Sequence, residues 1–183
     1  MRRTVLLASA VLLAAAPVLA QPLPAPASYP PVTGEKGVVT AHELSLELAQ
    51  KIARAGIDQC RKMGFHTTMA VVDRSGTLKA FLRDEATGPH TVILAQDKAF
   101  TALTLGSRFA TSGAFATARN STLGSPQTNI RGADRSVVGV AGGVPIKYRG
   151  EIIGAVGSSG AVGGDKDEIC SNAGIEAVAA ELK

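Results

Sequence analysis

The residues able to do chemistry in this 183-residue chain are few: His42, His66 and His90, Cys60 and Cys170, and a dispersed set of cations. His90 is the strongest candidate. It follows Thr87-Gly88-Pro89, where an apolar helical pattern begins. The partial positive charge of a helix N-terminus disfavours a cation there. A neutral imidazole is the form that an iron or zinc ion takes as ligand. The alternative use of His90 is as a solvent-exposed or capping residue. His66, beside Phe65 at the start of a β-prone run, reads as exposed or structural, with a ligand role as the lesser alternative, and His42 as solvated. Three scattered histidines without a Cys/His/Asp motif speak against a closed structural zinc site. Ser158-Ser159 lies in G-S-S-G rather than a G-x-S-x-G elbow, so nucleophilic catalysis finds little support. Arg83, Arg131 and Lys98 are the best cations for holding a carboxylate, with ordinary surface charge as their alternative.

The stretch "GAVGSSGAVGGDKDEICSNAG", residues 154–174, raises the question of a phosphate loop. Its spacing is G-x-x-G-x-x-G, not G-x-G-x-x-G, and no G-K-[ST] occurs. Asp165, Asp167 and Glu168 open the following helix and would repel a phosphate there. The glycines then have other uses. Gly154 and Gly157, within a strand, permit close approach of another backbone or a flat ligand. Gly160, Gly163 and Gly164 let the chain turn into the last helix.

These residues need elements to position them. Leu44, Leu48, Ile52 and Ala55 recur at helical spacing and predict a helix over about 41–63, with Thr40 and Glu43 as a capping box. A hairpin follows: 67–72, a turn at Asp73–Gly76, then 77–83. A second helix is expected over 89–105, closed by Gly106, and a short third over 111–120. Residues 120–136 have no apolar period and form a long connection. A short strand at 137–140 and a hairpin, 144–148 with 152–158, lead to a terminal helix over 165–182, capped by Asp165 and Glu168. Strands joined by tight turns pair antiparallel, so the layout is α+β: an antiparallel sheet with helices packed on it.

Ahead of this domain, Arg2 and Arg3, the apolar run 5–16 and Val18-Leu19-Ala20 have the organisation of a secretory signal over 1–20. Residues 21–37 are proline-rich and read as an extended leader. The folded domain is then 38–183. Without Arg2 and Arg3 the chain has 17 basic and 15 acidic side chains, with no basic run suited to a nucleic-acid backbone. No second apolar run is long enough to span a bilayer. Export to a secreted or periplasmic location would allow a Cys60–Cys170 disulfide. Both cysteines fall inside apolar helical patterns, however, where buried free thiols are the favoured reading.

Three segments together carry a family resemblance: "AVVDRSGTLKAFLRDE", "AQDKAFTAL" and "GGVPIKYRGEIIGAVGSSGAVGGDKDEICSNAGI". Over residues 40–182 the chain resembles the GlcG/HbpS family, the haem-degrading or DUF336 domain, and is similar to the C-terminal part of PduO-type proteins. The resemblance implies a profilin-like α/β/α sandwich, a homo-oligomer that is often an octamer, and for several members non-covalent haem binding. Without C-x-x-C-H, covalent haem attachment is excluded. The chain departs from the commoner arginine-methionine-aspartate-glycine-alanine pattern at Arg83-Asp84-Glu85-Ala86 and then places His90 at the helix start. The expectation is an exported haem-binding protein, for storage, transport or sensing, and degradation in some members. His90 would be the iron ligand, Arg83 and Arg131 the cations, and Gly157 and Gly160 would line the pocket or a subunit contact. Two rival readings are an enzyme or carrier for a small carboxylated or hydroxylated metabolite, with His90 as general base, and an oligomeric scaffold without chemistry of its own.

Overall fold

The computed structural model describes residues 37–123, 130–131 and 135–183. The expected signal segment and nearly all of the leader lie outside these residues, as does much of the 120–136 connection.

Helix α1 (Leu46–Lys62) buries Ala49, Ile52, Ala53, Gly56, Ile57 and Cys60 on one face. Its cap is not the Thr40/Glu43 box. Ser45 is the N-cap, and its Oγ accepts from Leu48 N at 3.2 Å. Strand β1 (Thr68–Asp73) and β2 (Leu78–Arg83) form the expected hairpin. Asp73 Oδ1 accepts from Ser75 N and Thr77 N, and Gly76 takes the turn's φ of +81°. Helix α2 (Thr91–Phe109) is followed by α3 (Ser112–Leu123). Gly106 does not close α2. It is buried in the helix's last turn, where an added Cβ would stand 2.9 Å from Pro145 Cβ, so its missing side chain serves packing.

The two-residue strands β3 (Ile130–Arg131) and β4 (Ser136–Val137) pair as a separate small sheet. Ser136 N donates to Asp97 Oδ1 and Val138 N to Thr101 Oγ1, which anchors β4 on α2. Strands β5 (Gly143–Tyr148) and β6 (Glu151–Ser159) make the second hairpin. Helix α4 (Gly164–Glu176) and a 3-10 turn, Ala179–Leu182, replace the single terminal helix expected from the sequence.

The main sheet has the order β2-β1-β6-β5, antiparallel throughout. Strand alternation sorts its side chains between two layers. Met69, Val71, Val144, Ile146 and Val156 join Ile52, Ala53 and Ile57 of α1 in the larger core cluster. Val72 and Ala155 meet Ala99 and Ala102 of α2 on the opposite face. The α2 face is built of small residues, so this helix sits low on the sheet. Helices thus cover both faces of an antiparallel sheet, as an α/β/α sandwich requires.

Helices α1 and α4 lie side by side, and Cys60 and Cys170 are joined by a disulfide with Cα atoms 5.5 Å apart. The favoured reading of two free thiols is therefore corrected. Both sulfurs are buried, but each is the other's neighbour because α1 and α4 pack through Gly56 and Gly174. No helix among the described residues is long and apolar enough to cross a membrane.

Candidate functional site

One end of the main sheet gathers much of the chemistry. Thr68 of β1 stands between Arg83 of β2 and Ser159 of β6. Thr68 Oγ1 and Thr91 Oγ1 are 2.8 Å apart and buried. Thr91 Oγ1 donates to Gly88 O at 2.6 Å, so the Thr68 hydroxyl is left to donate to Thr91. This ties the start of α2 to the rim of the sheet. Arg83 Nη2 donates to Thr87 O and spans the 84–90 loop, in which Ala86 holds a φ of +60°.

His90 is the exposed N-cap residue of α2 and makes no capping hydrogen bond. Its ring lies against Gly88, where a Cβ would stand 2.8 Å from His90 Cε1. Gly88 thus leaves the ring its place.

His66, just ahead of β1, has a different setting. Its Nδ1 is 3.0 Å from Asp84 Oδ2. Asp84 has a fully buried side chain. It also receives Arg61 Nε at 2.9 Å, Arg61 Nη2 on the other oxygen, and Glu85 N at 3.0 Å. The Arg61 hydrogen bonds hold the Asp84 carboxyl well below the usual carboxylate range, against the opposing effect of burial. Gly160, with φ of +135°, passes so close to this segment that a Cβ would meet His66 O at 2.5 Å. Beside it, Lys166 Nζ stands 5.4 Å from the centre of the Phe65 ring. Two hydroxyls in these same segments, Thr67 Oγ1 and Thr87 Oγ1, are buried without a hydrogen-bond partner. Such groups are rare in folded proteins and ask for a partner from outside the chain.

Lys98 belongs to a separate, enclosed network. Its Nζ donates to Asp167 Oδ2 at 2.7 Å and to Ser158 O at 2.9 Å. Asp167 Oδ1 accepts from Ala161 N at 3.0 Å and Ser158 Oγ at 3.3 Å. Burial pushes the Lys98 ammonium down and the Asp167 carboxyl up, and their mutual attraction opposes both shifts. Lys98 is therefore not a surface cation for a ligand acid. It fastens the glycine-rich turn to α2. The acidic start of α4 serves the same end: Asp167 holds the turn, Glu168 Oε1 accepts from Gly113 N of α3, and neither Asp165 nor Glu168 caps the helix, whose N-cap is Gly163.

The structure thus brings His90, Arg83 and Gly160 to one rim. Gly157 is buried under α2, where a Cβ would stand 2.6 Å from Ala99 N, so helix–sheet contact occupies the space reserved for a flat ligand. Arg131 lies in β3, in the small sheet anchored on α2. His66, favoured from sequence as exposed or structural, is joined here to Asp84 and Arg61, a pairing that sequence reading did not find. Arg61 and Asp84 are 23 residues apart, and only the docking of α1 beside β2 joins them. At the far end of the sheet, His42 Nδ1 is 2.7 Å from Glu151 Oε2, and Arg74 pairs with the same carboxylate.

Comparison with known proteins agrees with this fold. A family described as "Haem degrading protein HbpS-like" matches residues 44–176, and the chain belongs to it. Protein GlcG of Escherichia coli K12 is 32% identical over 121 residues, covering 63% of this chain and 81% of GlcG. The crystal structure of HbpS superposes with a TM-score of 0.68 at 31% identity, over 82% of this chain and 98% of that one. A PduOC:heme complex shares the fold, with a TM-score of 0.55 at 23% identity, over 74% and 95% of the two chains.

Proposed function

We propose that this chain is an exported, homo-oligomeric haem-binding protein that holds haem non-covalently at the rim formed by β1, β2 and the start of α2. Membership of the HbpS-like family supports the ligand class. The observation that carries the reading is the rim itself: an exposed imidazole at His90, above a glycine that leaves its ring room, with two partnerless buried hydroxyls in the adjoining segments. These residues fit haem. The porphyrin supplies four nitrogens to its iron, so one protein imidazole completes a useful site.

In this reading His90 would hold the iron through its imidazole. Arg83, exposed and committed through Nη2 to Thr87 O, keeps its remaining N–H groups for a propionate. Gly160 leaves the rim open on the β6 side. Bound haem supplies an iron centre, suited outside the cytoplasm to storage, transport or sensing. The buried Cys60–Cys170 disulfide supports export, because such bonds persist in oxidising compartments. Exposed Ile93, one turn after His90, and exposed Val162 support a subunit contact close to the site.

The test is a haemin titration of the chain from residue 21 onward, followed in the Soret region beside His90→Ala. The reading expects a saturable band that shifts or weakens in the variant. A chain that gives no saturable band overturns it and directs the search to small carboxylated metabolites, detected by ligand-dependent thermal stabilisation.

A further inference from the structure

We infer that His66 is itself an iron-ligating imidazole of this rim, with Asp84 as its orienting carboxylate; this rests on the haem reading above and deepens it.

The tautomer follows from hydrogen bonding. Asp84 has two oxygens and faces Arg61 Nε, Arg61 Nη2, Glu85 N and His66 Nδ1. The first three are obligate donors, and a carboxylate so surrounded only accepts. The proton between His66 and Asp84 therefore sits on His66 Nδ1. In the neutral form of the ring, Nε2 is then the nitrogen that carries the lone pair. The His66 side chain is 55% exposed while its partner carboxylate is wholly buried. One nitrogen is thus anchored in the protein and the ring keeps an open side.

Metal-binding histidines are built in this way. The ligating ring gives its second N–H to a carboxylate, which fixes the tautomer and raises the basicity of the donor nitrogen. His90 has the exposure without the anchor. The surroundings of His66 suit a flat, partly apolar group. Phe65 precedes it, Gly160 passes it without a side chain, Val162 in the same turn is 76% exposed, and Lys166 stands over the Phe65 ring. Thr67, whose buried hydroxyl has no partner, follows it directly. An ion pair at the protein's edge, with its carboxylate buried, would explain Arg61–Asp84 alone. It does not explain why a third group on that carboxylate is an imidazole with one nitrogen left open.

The test compares wild type, His66→Ala, Asp84→Asn and His90→Ala by haemin titration and by spectroelectrochemistry of the loaded proteins. His66→Ala should lower haemin affinity more than tenfold and move the Soret maximum, and free imidazole should restore the wild-type position. Asp84→Asn should retain a band, weaken binding about 10–100-fold, and move the iron midpoint potential positive, because a less basic imidazole stabilises ferric iron less. Asp84 is buried and paired, so His66→Ala with imidazole rescue decides the matter if Asp84→Asn does not fold. A wild-type spectrum and affinity in His66→Ala overturns the inference and leaves the haem reading standing. No saturable band in wild type overturns both.

Discussion

Cutting the link between α1 and α4 gives the best-defined stability change in this molecule. Cys60 and Cys170 are 110 residues apart, so their disulfide closes most of the domain into one loop. The chain-entropy relation for a loop of that length gives about 4.7 kcal/mol of stabilisation, through restriction of the unfolded chain. Both cysteines are fully buried, so Cys60→Ala/Cys170→Ala adds a small cavity cost to that figure. For a domain of this size, 1 kcal/mol moves the melting temperature by about 2–4 °C. The double alanine variant should therefore melt about 15 °C below wild type. The assay is thermal unfolding by circular dichroism, with and without reductant after denaturation. Oxidised wild type should melt highest, and wild type unfolded and refolded in reductant should approach the variant. A variant melting within about 2 °C of oxidised wild type would refute the reasoning, because it would mean the loop is not closed or its closure restrains nothing.

Other consequences follow from named contacts. Lys98→Met leaves the Asp167 carboxylate buried without its cation and should cost about 3–5 kcal/mol in urea unfolding, whereas Lys98→Met/Asp167→Leu should recover part of that loss; equal stability of all three proteins would remove the pair from the account. Gly157→Ala drives a Cβ into the α2 backbone beside Ala99 N and should cost about 3 kcal/mol, while Gly150→Ala, in open space at φ +84°, should cost only about 1 kcal/mol; similar melting points for the two variants would contradict the close approach of α2. The Asp84 carboxyl titrates below its unfolded value, so between the two the unfolded chain binds more protons and stability rises with pH. Wild type should therefore lose stability as pH falls below about 4, and Asp84→Asn should show a flatter slope in that window; identical slopes would mean that Asp84 is not held ionised by Arg61.

Local chemistry made both hairpins legible from the residues themselves. Asp73–Gly76 is a turn by its side-chain acceptor and its glycine, and the β5–β6 hairpin follows from β-prone runs on either side of Arg149-Gly150. Helix boundaries were less legible, because a cap depends on which candidate the chain presents. Ser45 wins over Thr40 since Leu44 is buried ahead of the helix and fixes its start. Gly106 looks like a helix end until Pro145, 39 residues on, supplies the reason for its small size.

The site divides in the same way. His90 at a helix start was visible because Gly88-Pro89 announces the helix. The anchoring of His66 was not, since it needs Asp84 from the end of β2 and Arg61 from the end of α1 to meet. Lys98 read as a free cation for want of Asp167, 69 residues away. The disulfide was hidden for the same reason: its formation depends on two helices lying side by side, which no spacing in either helix expresses.

The most direct test of the haem site is hydrogen–deuterium exchange of the chain from residue 21 onward, with and without saturating haemin. The account predicts protection concentrated in 65–68, 83–91 and 158–162, the segments that form the rim. Protection confined instead to the groove lined by Val144, Pro145, Ile175 and Leu182 at the β5 edge, or unchanged exchange at the rim, would contradict it.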